Sequence, residues 1–130
     1  DGVAVSALEE GFLPLSQTAL LIHADVAYHA FEGVVAQADE RARLGRDLGA
    51  HNLMILRNHG TLTVGATVAD AFYRMYLLEW CCTAQIRALA TGRALCLPSA
   101  AAIAQVGSAI DWSNPQRFPV STFWPAMLRK

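Results

Sequence analysis

The sequence predicts an α/β domain in which a sheet is packed between helices. The first observation is the order of the predicted elements, which runs helix, strands, helix, hairpin, long helix and helix. The second is the composition, because 54% of the residues are hydrophobic and only 16% are charged. A chain of 130 residues can bury a real core, so we treat residues 1–130 as a single domain unit.

The first third of the chain predicts a short helix followed by strands. Residues 3–10 are Ala-rich and predict a helix that ends at Gly11. The segment 13–33, "LPLSQTALLIHADVAYHAFEG", carries apolar clusters with β-branched and aromatic residues. This composition predicts one or two strands, with Pro14 and Gly33 as breaks.

An amphipathic helix is predicted over residues 35–49, "VAQADERARLGRDLG". Gly49 stands where a glycine commonly follows the last turn of a helix. The residues expected to face the core are Ala38, Ala42 and Leu48, and those expected to face water are Glu40, Arg41 and Arg43.

A hairpin and the longest helix follow. Residues 53–56 predict a fully buried strand, and residues 61–64 alternate polar and apolar as a half-buried strand does. Thr67 and Asp70 form a weak capping box at the start of a helix that runs to Gly92. The apolar stripe predicted for this helix is Val68, Ala71, Phe72, Met75, Leu78, Cys82, Ile86 and Leu89.

The last third predicts a loop, a helix and a tail. Residues 95–98 read as a loop, and Ser99 caps a helix over residues 99–110. The tail from residue 111, "DWSNPQRFPVSTFWPAMLRK", is rich in proline and aromatic residues and needs a surface on which to pack. It is expected to end in a short helix.

Charge, hydropathy and cysteine content exclude several classes of function. The net charge of −1 gives no electrostatic footprint for nucleic acid or acidic lipid. No apolar run approaches the length of a membrane span. Cys81, Cys82 and Cys96 lack the CxxC spacing of zinc and redox sites. We therefore interpret them as buried free thiols of a cytoplasmic protein.

The stretch "LMILRNHGTLTVG", residues 53–65, carries the strongest candidate site. His59 lies between two predicted strands, which hold a ligand more rigidly than a loop does. Gly60 can adopt a positive φ angle, and Asn58 tolerates left-handed geometry. Local chemistry leaves two interpretations open, an ordinary turn with an exposed imidazole or a metal ligand on a hairpin.

A second group is Tyr28, His29 and Glu32 in "VAYHAFEG". If the segment is extended, Tyr28 and Glu32 share one face and His29 lies on the other. They are candidates for lining a substrate site or an interface, although polar residues covering a strand end are the stronger interpretation.

The remaining polar residues are weaker candidates for a functional site. His23 and His51 are expected to be ordinary surface or hydrogen-bonded core residues, and Glu79 is expected to pair with an arginine. Spacing alone outlines no complete metal site, since HxH and HExxH are absent.

Several stretches resemble the class II aldolase/adducin family, in particular its bacterial members of unassigned substrate. They are "AYHAFEG", "LMILRNHGTLTVG", "TVADAFYRMYLLEWCCTAQIRALATG" and "WPAMLRK". The resemblance implies a three-layer α/β/α sandwich around a mostly antiparallel sheet. It also implies that this domain is partial, with its N-terminal part missing.

The family resemblance implies a site and a reaction. Family enzymes hold a divalent metal, usually zinc, with two histidines of an HxH motif and one of the NHG motif, which here is His59. Asn58 and Gly60 would shape its turn. The HxH motif and the acid/base glutamate would lie upstream of Asp1. The implied reaction is aldolase-type C–C cleavage of a small hydroxy-carbonyl or sugar-phosphate substrate through a metal-stabilised enediolate. The 130-residue chain alone is then expected to be inactive.

Two other functions fit the same resemblance. One is a non-enzymatic, adducin-like binding module of the cytoskeleton, and the other is an epimerase or decarboxylase on the same metal scaffold. Family members are commonly homo-oligomers, often tetramers, and an apolar tail fits a subunit interface. The aromatic residues of that tail are Trp112, Phe118, Phe123 and Trp124.

Overall fold

The computed structural model describes residues 1–33, 39–108 and 120–129 and confirms the α/β class. No helix in these ranges is long and apolar enough to cross a membrane. The described elements are α1 Gly2–Ser6, α2 Gln17–His23, β1 Val26–His29, α3 Glu40–Leu48, β2 Leu53–Leu56, β3 Gly60–Thr63, α4 Val68–Ala90, α5 Ala100–Ser108 and α6 Val120–Met127.

The described strands form one mixed sheet in the order β1-β2-β3. β1 pairs with β2 in parallel, with His29 opposite Leu56. β2 pairs with β3 in antiparallel fashion, with Gly60 opposite Leu56. The predicted hairpin is therefore confirmed, and β2 is hydrogen-bonded on both sides.

The core lies between this sheet and the helices α1, α2 and α4. α1 contacts α4 and β3, and α4 also contacts α2 and β2. α3 packs against β1, while α5 packs against α2 and α6 against α4. The buried cluster consists of Val5, Phe12, Ala19, Ile22, Leu53, Ile55, Leu78, Cys81 and Cys82.

The prediction of strands for residues 13–33 is wrong in its first half, where α2 forms. Ser16 caps this helix by accepting a hydrogen bond from the Ala19 N–H at 3.1 Å. The buried residues Ala19, Leu20 and Ile22 form a short apolar cluster whose period fits a helix as well as a strand. The N-cap serine decides between them, so β1 is the only strand in the described part of this segment.

The inward face predicted for the third helix is also wrong in part. Ala38 lies outside the described residues, and Ala42 is exposed, whereas Glu40 and Arg43 are half-buried. The reason is a tertiary contact, because the Arg43 guanidinium pairs with Glu32 at 2.6 Å. Leu48 is half-buried as predicted, and Gly49 has a φ of 55°.

The long helix α4 begins as predicted. The Thr67 side chain accepts from the Asp70 N–H and the Asp70 carboxylate accepts from the Thr67 N–H, which completes the capping box. Leu78 and Cys82 are buried, but Val68 is 75% exposed at the start of the stripe. Cys81 and Gln85 are buried instead, and Gln85 bonds the Gly11 carbonyl at 2.6 Å and the Leu13 N–H at 2.8 Å.

The tail ends in a helix, as predicted, and α4 provides its surface. Phe123 of α6 contacts the rings of Tyr73 and Tyr76, with centroids 4.9 Å and 5.0 Å away. Trp124 meets Phe72 edge-on at 5.4 Å. Trp112 and Phe118 lie outside the described residues.

Glu79 pairs with none of the described arginines, contrary to the expectation. Its carboxylate accepts hydrogen bonds from the Gly2 N–H at 2.9 Å and the Thr61 hydroxyl at 2.8 Å. Burial acts to raise the pKa of Glu79, but these donors outweigh burial and lower it. Glu79 thus joins α1, β3 and α4.

We expect Gly2→Ala to destabilise the protein, because its new Cβ would overlap the Glu79 carboxylate and lie 2.5 Å from the Thr61 methyl. Overpacking of this kind costs about 1–3 kcal/mol. The control is Gly45→Ala in α3, where no heavy atom lies within 4 Å of the new Cβ. That change should stabilise the helix by about 0.5–1 kcal/mol. Urea unfolding compares the two, and equal effects would contradict the packing around Gly2.

The stabilising effect of Glu79 should depend on pH. Because its folded pKa lies below the ordinary 4.5, its contribution is present above that pH and is lost as the pH falls through the folded value. The difference in free energy of unfolding between wild type and Glu79→Gln should therefore be larger at about pH 7 than at about pH 3. A difference that does not change with pH would show that the ionised carboxylate is not what stabilises the structure.

Candidate functional site

The candidate site is the turn that joins β2 to β3, residues 57–59. The His59 N–H donates to the Leu56 carbonyl at 3.0 Å, which closes a β-turn. Asn58 stands at the third position of this turn with a φ of 56°, and it is the only described non-glycine residue with a positive φ. Gly60 follows with a φ of 148°, so both residues have the geometry that their type allows.

Contacts with two other parts of the chain hold this turn in place. The Asn58 N–H donates to the Ser6 carbonyl of α1 at 3.1 Å, and the Arg57 N–H donates to the His29 carbonyl at 2.9 Å. The Arg57 guanidinium bonds the Leu8 carbonyl at 2.6 Å and lies 4.6 Å from the ring centre of Tyr28. The backbone that carries His59 is therefore fixed.

His59 itself is exposed, which suits a ligand that must reach an ion or a substrate. Among the described residues, the only group of three or more potential ligands that lie close together does not include it. The 130-residue chain thus presents one imidazole at this turn, outside any group of three potential ligands in the described ranges.

The structure separates Tyr28 from the other two residues of its predicted group. The Tyr28 hydroxyl accepts from the Phe12 N–H at 3.0 Å, and its ring lies beneath Arg57. His29 is buried on the opposite face of β1, as alternation predicts. Glu32 lies beyond the end of the strand and near His29 rather than on the side of Tyr28, because β1 ends at His29.

His29 and Glu32 each have a charged partner on α3. His29 Nδ1 lies 2.6 Å from Asp47 Oδ2, so the carboxylate accepts the Nδ1–H of the imidazole. Glu32 accepts hydrogen bonds from Arg43 Nε at 2.9 Å and 2.8 Å. The hydrogen bond from Arg43 lowers the pKa of Glu32.

The remaining histidines and the cysteines belong to no group of three potential metal ligands among the described residues. His23 stacks on Phe12 with ring centres 6.2 Å apart, and burial lowers its pKa. His51 is exposed and lies 3.0 Å from the Leu48 carbonyl. Burial raises the pKa of Cys81 to about 11 and that of Cys82 to about 12, so both thiols stay protonated. Cys96 is exposed, contrary to the expectation of three buried thiols.

Sequence reasoning missed Arg57 and Asp47. Arg57 comes directly before the NHG stretch, but its partners are carbonyls 48 and 49 residues away, and no local pattern marks them. Asp47 lies seven residues after Glu40, which places both on one face of α3. If the helix packs against the strand that carries His29, this spacing predicts that both carboxylates lie near that histidine.

The chain belongs to the class II aldolase and adducin family. The sequence profile described as "Class II Aldolase and Adducin N-terminal domain" matches residues 1–86. A putative aldolase class 2 protein of Caulobacter vibrioides is 42% identical over 99% of this chain and 50% of its own length. Alpha-adducin of Mus musculus is 42% identical over 69% of this chain and 12% of its own length.

Two solved structures share the fold. An aldolase II superfamily protein from Pseudomonas syringae superposes with a TM-score of 0.88 at 40% identity, over 98% of this chain and 51% of its own. An L-fuculose 1-phosphate aldolase from Glaciozyma antarctica PI12 superposes with a TM-score of 0.67 at 28% identity, over 83% and 40%. The chain spans about half the length of the bacterial relatives that it matches.

We expect Asn58→Val to destabilise the turn, whereas Asn58→Gly should be tolerated. A β-branched residue at the φ of 56° that Asn58 adopts is strained, at about 1–2 kcal/mol, while glycine adopts this geometry freely. The control is Ala66→Val, at an exposed loop position where φ is not positive. Thermal unfolding of the three variants measures the effect. A valine at position 58 that costs no more than the one at position 66 would contradict the left-handed turn.

Proposed function

We propose that the complete protein is a cytoplasmic, metal-dependent lyase in which His59 is one metal ligand. Its reaction is aldol-type C–C cleavage of a small hydroxy-carbonyl compound, with phosphorylated sugars as the leading substrate class. The observation that carries this proposal is the exposed His59 imidazole on a turn that Ser6, Leu8 and Tyr28 hold in place. Family membership and the similarity to an L-fuculose 1-phosphate aldolase support the reaction class.

The residues of this chain fit such a metal in part. His59 can supply one nitrogen, and Asn58 and Gly60 give its turn the required backbone. Arg57 holds that turn against the segment that follows α1. A zinc site with an open position takes three protein ligands, so further ligands must come from other parts of the complete protein. A bound divalent metal would act as a Lewis acid on the oxygen atoms of the substrate. The 130-residue chain alone is therefore inactive in this proposal.

The proposed protein is a homo-oligomer. Tyr76 and Trp80 on α4 remain 46% and 49% exposed although α6 packs on the same helix. Aromatic residues are enriched at subunit interfaces, so this face supports contact between copies. A tetramer is the arrangement that the family resemblance favours.

A second candidate function is an adducin-like binding module without catalysis. The identity with alpha-adducin over 69% of this chain favours it. The upstream sequence separates the two candidates, because an HxH motif with a preceding glutamate supports the lyase and their loss supports the binding module. A third possibility is an epimerase or decarboxylase on the same scaffold. Analysis of the reaction products distinguishes it from the lyase.

The test is His59→Ala in the complete protein, with His51→Ala as the matched control at another exposed imidazole. The first change should lower zinc affinity and the rate of C–C cleavage by more than about 100-fold, whereas the control should change neither. Metal content is measured by mass spectrometry, and cleavage is measured with ketose 1-phosphates as substrates. The isolated 130-residue chain should show no cleavage.

Three outcomes would overturn parts of the proposal. Metal content that is unchanged in His59→Ala would remove the ligand assignment. Full activity of the isolated 130-residue chain would remove the need for further ligands. If the complete protein binds zinc through His59 but cleaves no hydroxy-carbonyl compound, the proposed lyase activity is wrong.

A further inference from the structure

The second notable imidazole is His29, which lies at the end of β1. Its side chain is only 5% exposed, and Nδ1 is held by Asp47. The other nitrogen, Nε2, is buried and has no hydrogen-bond partner among the described residues. Buried polar atoms are nearly always satisfied, and an unfilled ion site is one recognised cause of an exception.

Two carboxylates lie beside this imidazole. One ligand atom from each of His29, Glu32 and Glu40 lies within 4.8 Å of the other two. Glu40 and Asp47 are both on α3 and are separated by two helical turns, or about 10 Å along the axis. Because Asp47 occupies Nδ1, a cation held by the glutamates would have to bind His29 through Nε2.

The contact with Asp47 prepares Nε2 to act as a ligand. A carboxylate that accepts the Nδ1–H fixes the tautomer in which Nε2 carries the free lone pair. It also makes that nitrogen more basic. The same carboxylate–histidine pair stands behind many metal-bound imidazoles in proteins. Because the ring is buried, its orientation, and with it the direction of the Nε2 lone pair, is fixed.

We propose that His29, Glu32 and Glu40 form a divalent-cation site that is separate from the His59 turn. One imidazole nitrogen and two carboxylate oxygens suit Zn²⁺ and Mn²⁺, and three protein ligands leave positions open for water. Ligand atoms lie about 2.0–2.2 Å from a bound zinc ion, so the two partly exposed glutamates must move inward to close the site. This inference does not depend on the proposed lyase activity.

Arg43 competes with the cation for Glu32. Its guanidinium contacts both carboxylate oxygens of Glu32, at 2.9 Å and 2.8 Å from Nε. A cation that binds Glu32 must displace this contact or share the carboxylate with it, and the positive charge of Arg43 opposes a second positive charge. Removal of Arg43 should therefore tighten cation binding, whereas removal of a ligand should weaken it.

The experiment uses the complete protein with His59→Ala, so that the His59 turn does not contribute to the binding signal. Mn²⁺ binding is followed by electron paramagnetic resonance, and Zn²⁺ binding is followed by competition with a chromogenic chelator. Glu40→Gln and His29→Gln should each weaken Mn²⁺ binding at least about tenfold. Arg43→Gln should tighten it several-fold. The control is Glu10→Gln, an exposed glutamate outside the cluster, which should leave binding unchanged.

Coupling of the Mn²⁺ signal to an imidazole nitrogen should be present in the His59→Ala protein and absent after His29→Gln. If His29→Gln does not fold, Glu40→Gln and Arg43→Gln decide the question, since both residues are only half-buried. Mn²⁺ affinity that neither Glu40→Gln nor Arg43→Gln changes would overturn the proposal. It would show that the cluster is a set of ion pairs alone. Loss of lyase activity or of binding at His59 has no bearing on these readouts.

Discussion

The burial of β2 is the constraint on which the rest of the structure depends. Leu53, Met54 and Ile55 are fully buried, and their strand is paired on both sides. A slip of one residue would exchange the two faces of the strand and move each of these side chains out of its present packing. The observed register places His29 and Gly60 opposite the same residue, Leu56. Both candidate histidine sites therefore begin at one end of one strand.

The same strand end produces two different imidazole environments. His29 lies within β1, and alternation directs its side chain into the protein while Tyr28 faces the other way. His59 lies in a turn whose backbone bonds are already satisfied by Leu56 and Ser6, so its side chain is free to point outward. Arg57 links the two environments, because its N–H bonds the His29 carbonyl and its guanidinium covers Tyr28. Arg57 therefore contributes to the local packing of both environments.

The features that the sequence predicted correctly are those that neighbouring residues decide. The capping box of Thr67 and Asp70, the cap at Ser99 and the left-handed Asn58 each depend on atoms within a few residues. The hairpin follows from hydrophobic alternation and a turn between two strands. α2 was missed because a short cluster of apolar residues has no clear period. Only the N-cap Ser16 distinguishes this helix from a strand.

The errors at Arg43, Glu79 and Ala42 have a different cause. The partner of Arg43 is eleven residues away, and the partners of Glu79 are 18 and 77 residues away, so neither pairing can be read from local spacing. Ala42 faces outward because α3 is rotated by the polar contacts that it makes with the end of β1. The turn and the histidine of the candidate site could be predicted from the sequence. The residues that hold the turn, such as Ser6 and Leu8, are distant in sequence and are known only from the folded structure. The role of His59 as a metal ligand stays a prediction.

The rotation of α3 has a chemical consequence. Glu40, Arg43 and Asp47 follow spacings of three and four residues, so one helix face presents two carboxylates and one guanidinium toward the end of β1. A helix turned to bury Ala42 would direct this charge into water and leave His29 without an acceptor for Nδ1. The bond from His29 Nδ1 to Asp47 therefore favours the observed orientation of α3, because a buried N–H without an acceptor costs about 1–3 kcal/mol. Sequence periodicity describes α3 as an ordinary amphipathic helix. In this fold α3 also places charged side chains beside the end of β1.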